Sequence, residues 1–101
     1  SNKMDIINTD EDITSLMKNY TKKKKKYKTT PHLTKYERTR ILSERSSQIN
    51  SGSTVLIANP ERFNNAYLIA LEELNQNKIP FIIKRQYGNQ YEYWKLKDLN
   101  Y

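Results

Sequence analysis

The chain has only two glycines, and one of them stands with Asn89 inside KIPFIIKRQYGNQYEYWKL, Lys78 to Leu96. No other stretch constrains the fold as much. A Gly-Asn pair suits a two-residue turn of the primed type, whose twist matches that of two antiparallel strands. Folded about Gly88-Asn89, Phe81 falls opposite Leu96, Ile83 opposite Trp94 and Arg85 opposite Glu92. Ile82 then meets Lys95, and Lys84 meets Tyr93, on the other face. One face is apolar with an ion pair toward the turn; the other is mixed. Pattern and turn chemistry point to the same hairpin.

Two helices are predicted ahead of it. Thr34 is a good N-cap, and TKYE, Thr34 to Glu37, matches a capping box in which hydroxyl and carboxylate each take a backbone amide at the helix start. Tyr36, Ile41, Leu42, Ile49 and the stem of Arg45 cover one broad side, and the helix should stop near Asn50, with Gly52 free to turn left-handed. STVLI, Ser53 to Ile57, reads as a short extended stretch closed by Asn59-Pro60. Asn64 or Asn65 can cap a second helix, in which Tyr67, Leu68, Leu71 and Leu74 recur at helical spacing through Asn77. Lys97 to Tyr101 makes a short tail or a single helical turn.

Composition sets the scale. A chain of 101 residues is one domain or less, and 36% apolar or aromatic content is low for an independent globule. Such a chain is more comfortable burying surface against a partner. Of the net charge of +7, residues 1–30 supply +4, from eight lysines against four acids. That leader has no hydrophobic period. It holds an acidic knot, Asp10–Asp12, then KKKKKYK, Lys22 to Lys28, and like-charge runs of this kind repel themselves and stay solvated. Between them Ile13, Leu16, Met17 and Tyr20 have helical spacing, enough for a short docking turn. Residues 1–30 therefore read as a charged tail, disordered or loosely docked, and order should begin at Pro31 with a compact domain over 31–101. The fold class is α+β: two packed helices with a C-terminal hairpin, plus a short strand or extended segment. Cysteine is absent, so disulfides, thiolate metal sites and a Cys nucleophile are excluded. The longest apolar run, Ala66 to Leu71, is far short of the ~20 residues of a membrane span. The chain reads as soluble and intracellular.

The sequence offers little for catalysis. His32 is the only histidine, with no acid placed by sequence to orient it, and HExxH, GxSxG and glycine-rich phosphate loops are missing. Glu72-Glu73 should be solvated on a helix surface. No enzyme, cofactor or metal is predicted. The lysines Lys22, Lys23, Lys24, Lys25, Lys26 and Lys28 could neutralise phosphates without reading sequence, serve as an import patch, or simply keep a linker open. Tyr91 and Tyr93 share a hairpin face with Lys84 and Lys95, the best sequence case for a base-stacking surface. Lys35, Arg38, Arg40 and Arg45 lie on one helix, the arginines interleaved with Glu37 and Glu44. A planar guanidinium fork suits the carboxylates and carbonyls of another chain. Solvated helix charges are the plainer reading of the same residues.

The block TTPHLTKYERTRILSERSSQI, Thr29 to Ile49, resembles the first block of the small sixth subunit of eukaryotic RNA polymerases, a family related to the archaeal K subunit and bacterial omega. LIALEELNQNKIPFIIKR, Leu68 to Arg85, resembles that family's helix followed by its Lys-Ile-Pro strand, and YEYWKL with Asp98-Leu99 continues the likeness. The resemblance implies a non-catalytic subunit of a DNA-directed RNA polymerase. It would latch onto the largest subunit, sit among the other subunits in one copy, meet DNA only through the complex, and touch no membrane. By position it points to Thr34, Tyr36, Glu37, Arg38, Arg40 and Arg45 in the first block and to Ile79, Pro80, Ile82, Arg85 and Trp94 in the strand region. It does not divide residues that touch the large subunit from those that hold the domain together.

The chain departs from that family's pattern in three places. A short acidic knot and a lysine run replace the long acidic tail of cellular relatives. Ser46-Ser47 stands where relatives have small and apolar residues. The usual Asp-Pro opening of the second helix is Asn65-Ala66, and Ser53 to Asn64 has no clear counterpart. These differences suit a divergent polymerase of a protist or a large DNA virus. The expected location is the nucleus, or for a virus the cytoplasmic factory and virion. The rival reading is a free-standing basic module that binds nucleic acid through the lysine run 22–28.

Overall fold

The computed structural model describes residues 4–8 and 13–100, and the acidic knot Asp10–Asp12 lies outside them. In chain order the elements are β1 (Met4–Asn8), α1 (Tyr20–Lys24), α2 (Lys35–Asn50), a 3-10 turn (Pro60–Arg62), α3 (Ala66–Asn75), β2 (Phe81–Tyr87), β3 (Gln90–Lys95) and a 3-10 turn (Leu96–Asp98). Contacts divide them between two units. One is Thr34–Ile79; the other joins the residues up to Leu33 to those from Pro80 onward.

In Thr34–Ile79, α2 and α3 pack on one another. The capping box forms as the sequence predicts: the Glu37 amide donates to Thr34 Oγ1 at 3.0 Å, and the Thr34 amide donates to Glu37 Oε1 at 2.9 Å. Both helices end in the same device. Gly52 (φ 101°) follows α2 and Asn77 (φ 59°) follows α3, and each reverses the chain in the left-handed region. Ser53 N then reaches Gln48 O at 3.0 Å and Lys78 N reaches Glu73 O at 2.9 Å, capping the last carbonyls. Asn65, one of the two predicted caps, accepts from Leu68 N at 2.9 Å. The most deeply buried aliphatic residues here are Ile41, Leu42, Ala70 and Leu74, each at most 1% exposed. Burying a Leu or Ile side chain contributes roughly 1.5–3 kcal/mol. Tyr36, predicted on the apolar side, is instead 42% exposed.

The other unit is built on an antiparallel sheet of order β1-β2-β3. The hairpin has the predicted register: Ile82 pairs with Lys95, Ile83 with Trp94, Lys84 with Tyr93 and Arg85 with Glu92. Gly88 takes φ 60° in the turn. The third strand comes from the leader, where order was not expected before Pro31. Met4–Asn8 pairs along β2, with Ile6 opposite Ile83 and Ile7 opposite Ile82. Ile6 and Ile7 point to opposite faces, so a strand this short shows no alternation to read. Ser53 to Ile57, the extended stretch named from sequence, forms no strand.

Candidate partner-binding surface

Along α2 the predicted partner-binding residues separate by burial. Glu37 is 5% exposed and serves the capping box. Arg45 is also 5% exposed, and it does not offer its fork outward. Its Nε bonds Glu73 Oε1, its Nη2 donates to Glu73 Oε2 at 3.1 Å and to Thr54 O at 2.8 Å, and its Nη1 donates to Gln48 Oε1 at 3.1 Å. Glu73, predicted to be solvated, is fully buried and also accepts from Leu56 N at 2.8 Å. One of two adjacent helical glutamates turns inward because a buried guanidinium needs its charge matched. The pair also ties down the connector through Thr54 and Leu56. Thr34 and Tyr36 are exposed, while Arg38 and Arg40 are half-buried. Thr39, Ser43, Ser47, Asn50, Asn64 and Tyr67 line a cavity of about 850 Å³ with hydroxyl and amide groups. Ile79 closes this unit's part of the predicted set and is buried.

In the sheet unit Pro80 is exposed, whereas Ile82, Arg85 and Trp94 are buried. Arg85 and Glu92 lie opposite one another as predicted, and both engage the segment before α2. Glu92 accepts from Lys28 N at 2.7 Å, Thr29 N at 3.0 Å and Thr29 Oγ1 at 2.6 Å. Arg85 donates to Thr30 O and, at 3.0 Å, to His32 O. Trp94 Nε1 donates to Thr29 Oγ1 at 2.9 Å, and its ring meets Tyr27 edge-on at 5.1 Å. His32, the lone histidine, is exposed and engages through its backbone: its carbonyl accepts from Arg85, and its amide donates to Thr30 Oγ1 at 3.3 Å.

The leader also covers the outer edge of β3. Tyr27 donates its hydroxyl proton to Tyr93 O at 3.0 Å and accepts from Tyr93 N at 3.2 Å. Tyr20, 8% exposed, donates to Asp98 Oδ2 at 2.6 Å and accepts from Lys95 N at 3.1 Å. Two phenols thus satisfy backbone groups that would otherwise invite another strand. Burial and the bond to Asp98 push the Tyr20 phenol well above its ordinary value of 10.0, and burial pushes Tyr27 up as well. A raised phenol stabilises the fold fully below its ordinary value, and that stabilisation is lost as pH climbs toward the raised one. Phenolate absorbance in an alkaline titration should therefore show two late groups. Tyr20→Phe with Tyr27→Phe should abolish that late step.

Among the described residues, no group of His, Asp and Glu could hold a metal ion, and no helix is long and apolar enough to cross a membrane. Comparison with known proteins bears on the helical unit most directly. The model of the family described as RNA polymerase Rpb6 matches residues 28–81. The chain is 42% identical over 72 residues to subunit RPABC2 of DNA-directed RNA polymerases I, II, and III from Schizosaccharomyces pombe, covering 70% of this chain and 50% of that protein. The subunit of the same name from Saccharomyces cerevisiae is 39% identical over 72 residues, 70% of this chain and 46% of that one. Subunit 6B of DNA-directed RNA polymerases II and V from Arabidopsis thaliana is 41% identical over 73 residues, 71% of this chain and 50% of that one. The chain spans about half the length of these relatives.

Proposed function

The chain belongs to the RNA polymerase Rpb6 family, and from that premise we propose that it is a non-catalytic subunit of a DNA-directed RNA polymerase. It clamps the largest subunit and supports that subunit's assembly and stability. The observation that carries this reading is the family match over residues 28–81, which runs through the capping box, Arg45, Glu73 and the Ile79-Pro80 step into β2. The rival, a free-standing nucleic-acid module, is the weaker reading because Lys22 to Lys26 lie outside that match.

The work of such a subunit is to hold parts of a larger chain together, which lowers the conformational freedom that chain loses on assembly. What α2 leaves available fits the task. Tyr36 and Arg38 offer an aromatic ring and a cation, and the cavity of hydroxyls and amides in the same unit can hydrogen-bond a partner's peptide groups. Residues 31–101 act as the subunit domain, one copy per complex. The place of action is the nucleus of a cell, or the factory and virion of a large DNA virus.

Purification of the tagged full chain from its native source should bring the largest subunit with it in equal amount. Recovery as a free monomer with no polymerase subunit alongside would overturn the reading. Arg38→Glu together with Arg40→Glu should weaken capture of the largest subunit by about 2 kcal/mol or more, the cost typical of interface arginines. That is roughly thirty-fold in Kd. The melting temperature should fall far less than capture does, because both arginines are only half-buried.

A further inference from the structure

The docked leader creates a second surface whose chemistry the subunit role leaves unused and on which that role does not depend. With Tyr20 and Tyr27 tied to the β3 edge, part of the lysine run lies beside the hairpin. Between them is a cavity of about 590 Å³ whose lining includes Ser15, Lys23, Lys26, Lys28, Gln90 and Tyr91. This is within the ~300–1,000 Å³ of clefts that hold small ligands. We propose that the groove binds single-stranded nucleic acid, with phosphates on Lys23, Lys26 and Lys28 and a base stacked on Tyr91.

Charge and shape both argue for that ligand. The three lysines are exposed, and none has an ion-pair partner among the described residues. The one carboxylate in the lining, Glu92, is 7% exposed and accepts from Lys28 N, Thr29 N and Thr29 Oγ1, so it presents little bare anion to a ligand. Tyr91 is 52% exposed, and Lys84 Nζ stands 4.1 Å from its ring centroid. An accessible ring among cations is the arrangement that captures an unstacked base while its backbone tracks the charge. A duplex keeps its bases stacked inside and gives the ring nothing to hold. An acidic peptide would use the lysines but not the ring. Of the two tyrosines marked from sequence, the structure selects Tyr91, since Tyr93 is half-buried and its backbone is held by Tyr27.

The test uses the full chain and fluorescein-labelled oligo(dT) and oligo(U), with anisotropy measured across a range of salt. With three phosphates neutralised, log K should fall against log salt with a slope of about −2. Lys23→Ala with Lys26→Ala should reduce the size of that slope by about 1.4. Tyr91→Ala should weaken binding roughly 5- to 150-fold and leave the slope unchanged, while Tyr91→Phe, which keeps the ring, should bind as the wild type does. Far-ultraviolet circular dichroism identifies any variant that has failed to fold, and the phenylalanine variant keeps the comparison decisive. Equal binding by Tyr91→Ala and wild type would overturn the proposal. So would competition by a blunt duplex or by polyglutamate as effective as that of the single strand.

Discussion

Glu73→Ala is expected to destabilise the protein by about 3–5 kcal/mol, the usual cost of removing one partner from a buried ion pair. Whole domains are stable by only about 5–15 kcal/mol, so most of the margin would go. The cost arises because Arg45 cannot regain water: it is 5% exposed, and Glu73 receives two of its guanidinium nitrogens. Leu56 N loses its acceptor in the same step. Arg45→Met combined with Glu73→Leu should recover most of the loss, because two apolar side chains leave no charge to desolvate. Urea denaturation followed by circular dichroism checks both. A Glu73→Ala protein that unfolds at the wild-type midpoint would show that the pair does not hold α2 to α3. The same geometry gives Arg45 a different task from Arg38 and Arg40: its loss weakens partner capture only by weakening the fold.

Glu92→Gln should have the next largest effect, about 2–3 kcal/mol, because hydrogen bonds to a charged group are worth about 1.5–3 kcal/mol each and several are disturbed together. The two carboxylate oxygens of Glu92 accept from three donors, Lys28 N, Thr29 N and Thr29 Oγ1. Glutamine would turn an amide nitrogen toward donors. The leader should then leave the β3 edge, and trypsin should cut within Lys22 to Lys28 several-fold faster than in the wild type. Acid should act on the same contact. Burial raises the Glu92 carboxyl, but the bonds from Thr29 and Lys28 and the charge of Arg85 outweigh it and hold the group below its ordinary value of 4.5. Asp98 is held below 3.8 in the same way, burial being outweighed by the Tyr20 bond and the Lys24 charge. A carboxylate held low stabilises the fold fully above its ordinary value, and that stabilisation is lost as pH falls through the lowered one. Trp94, the only tryptophan, sits against Tyr27 and Thr29 and reports the change by fluorescence. The wild type should show an acid transition in Trp94 fluorescence that Glu92→Gln reduces to the part left by Asp98.

Local chemistry specifies the features that could be read from residues near one another in the chain. The Thr34–Glu37 capping box, the left-handed stop at Gly52 and the hairpin register about Gly88-Asn89 each depend on residues close together in the chain. The family resemblance carried by Thr29 to Ile49 and Leu68 to Arg85 was legible for the same reason, being a pattern of residues at set spacing. The rest depends on contacts between distant parts of the folded chain. Nothing near Glu73 announces that Arg45, 28 positions away, will draw it out of water. Nor does the leader reveal its partners: Tyr20 finds Asp98 at a separation of 78 residues, and Tyr27 finds Tyr93 at 66. A lysine run looks solvated until two tyrosines at its flanks meet an uncovered strand edge. The burial of charge and the blocking of an edge are settled by partners distant in sequence, and only the folded chain brings them within hydrogen-bonding reach.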